Sequence, residues 1–86
     1  MASYNLLLTK SAARELARVP SKDRRRIVTK IGALAEHPRP LGAEKLSRDD
    51  KYRIRQGDDR IPYEIIDEDL IVTVVRIGNR REVYRR

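Results

Sequence analysis

The hydrophobic pattern of this chain changes its period once, close to Gly42. Before that point, apolar residues recur every three or four positions, which is typical of one face of a helix. After it, they alternate with polar residues, as in β-strands. A chain of 86 residues is the size of one domain, so we expect a single domain over residues 1–86. The predicted fold class is α+β, with the helices on one face of a mainly antiparallel sheet.

The first half of the chain predicts a strand followed by an antiparallel pair of helices. Thr9 or Ser11 can cap the first helix through its hydroxyl, and Ser21 can cap the second. Pro20 separates the two, because proline cannot continue the hydrogen-bond ladder of a helix. The strand is expected at Tyr4 to Leu8, and the helices at Ser11 to Val19 and Ser21 to Glu36.

The second half predicts a meander of three strands joined by polar turns. The last strand is rich in valine and isoleucine, which favours a central position with both faces buried. The expected strands are Tyr52 to Arg55, Ile61 to Ile66 and Leu70 to Ile77. The expected core contains Leu6, Leu8, Leu16, Ile27, Ile31, Leu34, Ile54, Tyr63, Val72 and Val74.

The net charge of +7 and the isoelectric point near 10.2 point to a polyanionic partner. Nucleic acid or the ribosome fits this charge, and an acidic protein partner or a merely solubilising surface is compatible with it.

The absence of cysteine excludes disulfides, thiolate metal sites and cysteine nucleophiles. No apolar stretch approaches the roughly 20 residues that span a bilayer, and a cytoplasmic location is expected.

Common catalytic groups are scarce, and no cofactor or metal is expected. His37 precedes a proline at the end of a predicted helix, where a solvated role is favoured over a catalytic one. The acidic run from Asp67 to Asp69 lies in a predicted hairpin turn, where a solvated turn is favoured over a metal site.

Arginines remain as candidates for chemistry. Arg53 and Arg55 lie two apart, so they point to the same face of a strand. Arg60 opens the paired strand, and the segment around Arg80 returns after Gly78. Several arginines on one surface form a site for a phosphate and its transition state. A solvated sheet face, charged to prevent edge pairing, explains the same spacing equally well.

The strand motifs resemble the RelE side of the RelE/ParE toxin superfamily, and the resemblance covers the whole chain. The specific parts are a Tyr-Arg-Ile-Arg motif and a Gly-x-Arg-Arg-Glu-Val-Tyr motif. They lie at Tyr52 to Arg55 and at Gly78 to Tyr84.

The resemblance implies a fold of the microbial ribonuclease type. It also implies a toxin that is held inactive by a cognate antitoxin protein and cleaves mRNA in the ribosomal A site. Carried over to this sequence, the catalytic positions are Arg53, Arg55, Arg60, Arg80 and Tyr84.

The implied reaction needs a base for the RNA 2′-OH. Some relatives have lysine where this chain has Arg53 and Arg55, and arginine cannot be deprotonated in a protein. Tyr84 is therefore the preferred base, since neighbouring arginines lower a tyrosine pKa. Lys51 is expected to point away from Arg53 and to be a weaker candidate.

Other basic residues are expected to bind RNA or the ribosome. These are Lys22, Arg24, Arg25, Arg26, Lys30, Lys45, Arg48, Lys51, Arg81, Arg85 and Arg86. Two alternatives remain open. One is a ParE-like protein-binding toxin that inhibits DNA gyrase, and the other is an RNA- or ribosome-binding module without catalysis.

Two residues depart from the family pattern. Asp59 precedes Arg60, where a bulky residue is usual, and Pro62 lies within a predicted strand. Proline cannot donate to a ladder and belongs at an edge or a bulge. From the sequence, replacing Pro62 by valine is expected to add about one hydrogen bond, or about 0.5–1.5 kcal/mol.

Overall fold

Six strands and two helices account for most of residues 3–46 and 50–79, the parts of the chain that the computed structural model describes. The helices precede the long strands, as the change of period predicts. The elements are β1 (Asn5–Leu8), α1 (Lys10–Arg18), α2 (Ser21–Gly32), a 3-10 turn (Ala33–Ala35), β2 (Glu44–Lys45), β3 (Lys51–Gln56), β4 (Asp59–Ile66), β5 (Ile71–Val74) and β6 (Gly78–Asn79).

The sheet has the order β1-β5-β4-β3-β2, and β6 pairs with β4. Strands β3, β4 and β5 form the predicted antiparallel meander. Strand β1 lies parallel to β5, with Leu6 opposite Val72 and Leu8 opposite Val74. The α+β prediction is confirmed, and the parallel pair is the one exception to an otherwise antiparallel sheet in the described residues.

One face of the sheet packs against both helices. Ala12 of α1 and Ile27 and Ile31 of α2 belong to the same buried cluster as the strand residues. Seven of the ten predicted core residues are buried, whereas Leu6, Leu8 and Leu16 only pack against the core from its margin. The buried residues that the sequence pattern missed are Ala12, Ile61, Ile65 and Ile77.

Several predicted element ends, and one predicted helix cap, differ from the structure. Helix α2 ends at Gly32, a poor helix former, and the chain tightens into a 3-10 turn. The residue before α2 is Pro20, so Ser21 is inside the helix and does not cap it.

Strand β5 begins at Ile71, because Leu70 has a φ of 54° and belongs to the preceding turn. It ends at Val74 and not at Ile77, because residues 75–77 leave the regular ladder. As predicted, β5 lies inside the sheet, between β1 and β4. Its burial alternates, so it is buried on one face only and not on both.

Strand pairing beside Pro62 contains a β-bulge. Tyr63 pairs with Val74, and Arg60 pairs with Gly78. Between these two pairs, the segment that joins β5 to β6 has three residues, 75–77, whereas β4 has two. Pro62 accepts a hydrogen bond from the amide of Val75 (2.9 Å), so its own nitrogen faces the bulge and not β3. The irregular pairing expected at Pro62 is therefore present as a bulge in the segment opposite it. A proline is tolerated there because its nitrogen faces the bulge, where no ladder hydrogen bond is required of it.

Thr9 replaces the hydrogen bond that Pro62 cannot donate. Its hydroxyl donates to the carbonyl of Val75 (2.7 Å), the group that an amide at position 62 would reach. The same hydroxyl accepts from the amide of Ala12 (3.1 Å) and so caps α1, as predicted. Glu15 extends this connection, accepting from the bulge amide of Ile77 (2.8 Å) and from Arg76 (3.0 Å).

This arrangement changes the stability expected for valine at position 62. With Thr9 present, Pro62→Val should change the free energy of unfolding by less than about 0.5 kcal/mol, because the carbonyl of Val75 already has a donor. Thr9→Val should cost about 1–3 kcal/mol through the lost cap and the unpaired carbonyl. In the Thr9→Val background, Pro62→Val should recover about 0.5–1.5 kcal/mol.

Urea unfolding of the four proteins in this double-mutant cycle measures the coupling. Thr9→Ser, which keeps the hydroxyl, is the control and should unfold close to the wild type. Equal effects of Pro62→Val in both backgrounds would show that the hydroxyl does not substitute for the missing amide.

Candidate functional site

Three arginines lie together on the face of the sheet that the helices leave open. Arg53 and Arg55 are two apart on β3, and Arg55 is directly opposite Arg60 on β4. Opposite residues in an antiparallel pair have side chains about 5 Å apart at Cβ and share a face. The predicted convergence of these three arginines is therefore present. We call Arg53, Arg55 and Arg60 the arginine cluster.

Glu44 lies within this cluster, and the sequence analysis did not select it. Its Oε1 accepts from Nε of Arg53 (3.1 Å) and lies 3.9 Å from Nη2 of Arg55. The hydrogen bond and charge of Arg53, followed by the charges of Arg55 and Arg60, hold the pKa of Glu44 below its usual value. The carboxylate is thus ionised at neutral pH and is surrounded by arginines.

Strand pairing fixes the position of Glu44. Glu44 is the direct partner of Arg53 in the β2–β3 ladder, so the two side chains share the open face. The sequence offered little sign of this, since β2 has only two residues. A glutamate a few residues before an arginine-rich strand was the one available signal.

The loop before β2 is fastened to the sheet by polar contacts. The hydroxyl of Tyr63 donates to the carbonyl of Pro38 (2.6 Å). Arg39 donates to the hydroxyl of Tyr52 (3.0 Å) and to Asp67 (2.8 Å), which also accepts from the hydroxyl of Tyr4 (2.7 Å). The pKa of Tyr63 rises to about 12, chiefly because burial disfavours the charged phenolate. These contacts fix the position of the loop that leads to Glu44.

The β4–β6 pairing brings the chain back to the arginine cluster. Gly78 is opposite Arg60, and Asn79 is opposite Asp59. The next residue in the sequence is Arg80. The predicted site residues Arg80 and Tyr84 lie outside the described residues, as do Arg48, Arg81, Arg85 and Arg86.

The prediction for Lys51 is wrong. Strand β3 is regular from Lys51 to Gln56, and Lys51 is two residues from Arg53, so both point to the open face. Lys51 is opposite Glu64, at the end of the strand away from Arg55. Lys45 pairs with Tyr52 and so lies on the opposite side of β2 from Glu44.

Basic residues lie along one side of α2, and two of them, Arg26 and Lys30, border the sheet near the arginine cluster. Lys22, Arg26 and Lys30 are exposed and four residues apart, which places them along one side of the helix. Arg26 borders a hollow at the β3–β4 turn, and Lys30 borders one shared with Glu44 and Arg55. We call Lys22, Arg26 and Lys30 the α2 stripe. The exposed Arg25 lies beside it.

Arg24 differs from these residues because it contacts the protein itself. Its guanidinium donates to the carbonyls of Ala17 (3.2 Å) and Val19 (3.4 Å) at the end of α1. A helix C-terminus leaves such carbonyls without partners, so Arg24 joins the two helices. This contact gives Arg24 a structural role in addition to any part in binding RNA.

The acidic turn is not simply solvated, since Asp67 binds both Arg39 and Tyr4.

Within residues 3–46 and 50–79, no group of three histidine, aspartate or glutamate side chains is placed to hold a metal ion. None of the described helices is long and apolar enough to cross a membrane.

Comparison with known proteins identifies the family. A family model described as the ParE toxin of the type II toxin–antitoxin system parDE matches residues 6–84. Toxin RelG of Mycobacterium tuberculosis is 30% identical over 86 residues, which cover 96% of this chain and 98% of the relative.

Solved structures of RelE toxins share the fold. The isolated E. coli RelE toxin matches with a TM-score of 0.81 at 26% identity, over 90% of this chain and 84% of that one. The RelBE2 toxin–antitoxin complex from Mycobacterium tuberculosis matches with a TM-score of 0.78 at 26% identity, over 91% of this chain and 99% of that one. This chain therefore belongs to the RelE/ParE superfamily of type II toxin–antitoxin systems, as a RelE-type toxin.

Proposed function

We propose that this toxin is a metal-free endoribonuclease that cleaves mRNA on the ribosome. The observation that carries the proposal is the arginine cluster, in which three guanidinium groups share one open face beside the chain that leads to Arg80. Arginine presents a planar fork of donors that matches a phosphate. A purely protein-binding toxin does not require such a cluster.

The proposed reaction is an attack of the RNA 2′-oxygen on the adjacent phosphorus. A bond forms between these atoms, the bond from phosphorus to the 5′-oxygen breaks, and the products are a 2′,3′-cyclic phosphate and a 5′-hydroxyl. The arginine cluster stabilises the negative charge that develops on the phosphoryl oxygens. Tyr84 takes the proton of the 2′-hydroxyl. Arg80 stabilises the charge on the departing 5′-oxygen, which takes up a proton from water to give the 5′-hydroxyl.

Mapping the 5′ ends of mRNA on translating ribosomes after adding the toxin tests the proposal. New ends carrying a 5′-hydroxyl within the A-site codon support it, and intact mRNA in stalled ribosomes refutes it. A gyrase supercoiling assay belongs beside this experiment, because the matching family model describes a ParE toxin. Inhibited supercoiling with intact mRNA would establish the ParE-like function instead.

The partner that we propose is a cognate antitoxin with an acidic segment that covers the arginine cluster. Structural relatives that occur as toxin–antitoxin complexes support such a partner, and the charge of +7 favours an acidic one. Co-expression with the neighbouring open reading frames should restore growth to cells that produce the toxin. Failure of every adjacent frame to restore growth would contradict an adjacent antitoxin.

The α2 stripe should contribute to ribosome binding and not to chemistry. Reversing Lys22, Arg26 and Lys30 to glutamate should weaken binding and lower the slope of log affinity against log salt by about three, near one per lost phosphate contact. Arg24 is left intact because it joins the helices. Single-turnover cleavage at saturating toxin should keep its rate.

A matched control lies on the other helix. Lys10, Arg14 and Arg18 are exposed and have the same spacing on α1, so their reversal changes the net charge equally. The α1 variant should retain most of the ribosome affinity. Equal weakening by both variants would mean that net charge, and not the α2 stripe, determines binding.

A further inference from the structure

Glu44 occupies the donors that a phosphate needs. Its Oε1 accepts from both Nε and Nη2 of Arg53 and approaches Nη2 of Arg55. A phosphate oxygen between the two arginines would take these same N–H groups, since carboxylate and phosphate both match the guanidinium fork. The carboxylate and an RNA phosphate therefore compete for the same donors.

The β2–β3 ladder holds Glu44 close to the arginine cluster. Glu44 pairs with Arg53 across β2 and β3, so the backbone already directs both side chains to one face. The loop before β2 is fastened through Pro38 and Arg39. The folded chain consequently holds Glu44 beside the arginine cluster, so its carboxylate is available to bind these arginines whenever a phosphate does not.

The competitor is also displaceable. The side chains of Glu44 and Arg55 are more than half exposed, at 54% and 57%, whereas that of Arg53 is 22% exposed. Ion pairs open to water are weak, because the solvent screens them. A phosphate of an RNA that makes many other contacts with the toxin or the ribosome can replace the carboxylate. A phosphate without such contacts has only its own affinity for the arginines to displace Glu44.

We propose that Glu44 is a specificity-determining residue that competes intramolecularly with the RNA phosphate for Arg53 and Arg55. The inference rests on the proposed function, since it assigns a regulator to the same site. It makes the arginine cluster selective for RNA that other surfaces of the toxin or the ribosome hold in place. Free RNA and small phosphates bind poorly while the carboxylate remains.

The test measures binding of a fluorescent single-stranded RNA whose 2′-hydroxyls are methylated, so that it cannot be cleaved. Glu44→Gln keeps the side-chain size but removes the charge, and it should tighten binding about two- to fivefold. Glu44→Ala should act in the same direction. Inorganic phosphate should compete with the RNA at lower concentration in both variants than in the wild type.

Glu36→Gln is the control, because it removes the same charge from an exposed site after the 3-10 turn. Tightening confined to the Glu44 variants supports the proposal. Equal tightening by Glu36→Gln, or no tightening, overturns it. The binding result does not depend on cleavage, so the two failures are distinguishable: unchanged RNA binding overturns the role of Glu44, whereas uncut mRNA with tightened RNA binding overturns the proposed function.

Cleavage separates competition from proton transfer. At saturating toxin on programmed ribosomes, Glu44→Gln should cleave at a rate near that of the wild type, because the carboxylate has by then been displaced. A loss of 10²-fold or more, typical of a missing general base, together with unchanged RNA binding would assign Glu44 to the chemistry and overturn the competitive role.

Discussion

Replacing Tyr84 by phenylalanine should lower the rate of single-turnover mRNA cleavage by about 10²–10⁴, the usual contribution of a general base. Phenylalanine keeps the ring but has no oxygen to accept the 2′-hydroxyl proton. Arginine cannot serve as that base, so tyrosine is the remaining group of the family motif with a suitable oxygen. Ribosome binding should persist, since many other basic residues contact phosphate.

The pH dependence of the rate gives an independent test of the same assignment. A tyrosine with the ordinary pKa near 10 is mostly protonated at neutral pH, and only its ionised form accepts a proton. The wild-type rate should therefore rise with pH up to that pKa, and the rise should be absent from Tyr84→Phe.

Tyr52→Phe is the matched control for the loss of a hydroxyl. Tyr52 stacks on Tyr63, and its hydroxyl accepts from Arg39, so it belongs to the fastening of the loop before β2. The control should cleave at the wild-type rate. Normal cleavage by Tyr84→Phe at saturation would refute Tyr84 as the base.

Local patterns predicted most of the fold because each element carries its own signal. The apolar period of α2 identified Ile27, Ile31 and Leu34 as core residues, and all three are buried. Non-local pairing could not be predicted in the same way. The parallel contact between β1 and β5 joins residues that are more than sixty positions apart, and no local period encodes it.

Pro62 shows why a local rule overlooks a compensating contact from a distant residue. The sequence shows a strand with a missing amide, which by itself implies a lost hydrogen bond. The structure shows that the acceptor across the bulge already has a donor in Thr9. That compensation comes from a residue fifty-three positions away and is visible only after the fold is known.

The candidate site was predicted in part. The alternation of β3 correctly placed Arg53 and Arg55 on one face, and the hairpin placed Arg60 opposite Arg55. The same alternation should have placed Lys51 with Arg53. Glu44 was missed because its strand is too short to produce an alternating pattern, and its meaning depends on the pairing with Arg53.

Replacing Arg55 by glutamine should reduce cleavage about 10²–10³-fold, as expected for the loss of one donor that stabilises transition-state charge. Stability should change by less than about 0.5 kcal/mol. Arg55 is directly opposite Arg60, and like charges in that position destabilise a sheet. Its contact with Glu44, at 3.9 Å, is too exposed and too long to stabilise the fold appreciably.

Arg76→Gln is the matched arginine control. In contrast to Arg55→Gln, it should lower stability and leave cleavage unchanged. Arg76 lies within the bulge, binds Glu15 at 2.8 Å and is outside the arginine cluster. Its replacement should lower the melting temperature while sparing the cleavage rate at saturation. Measuring both quantities for both variants separates an arginine retained for catalysis from one retained for folding. Wild-type cleavage by Arg55→Gln would remove Arg55 from the proposed catalytic set.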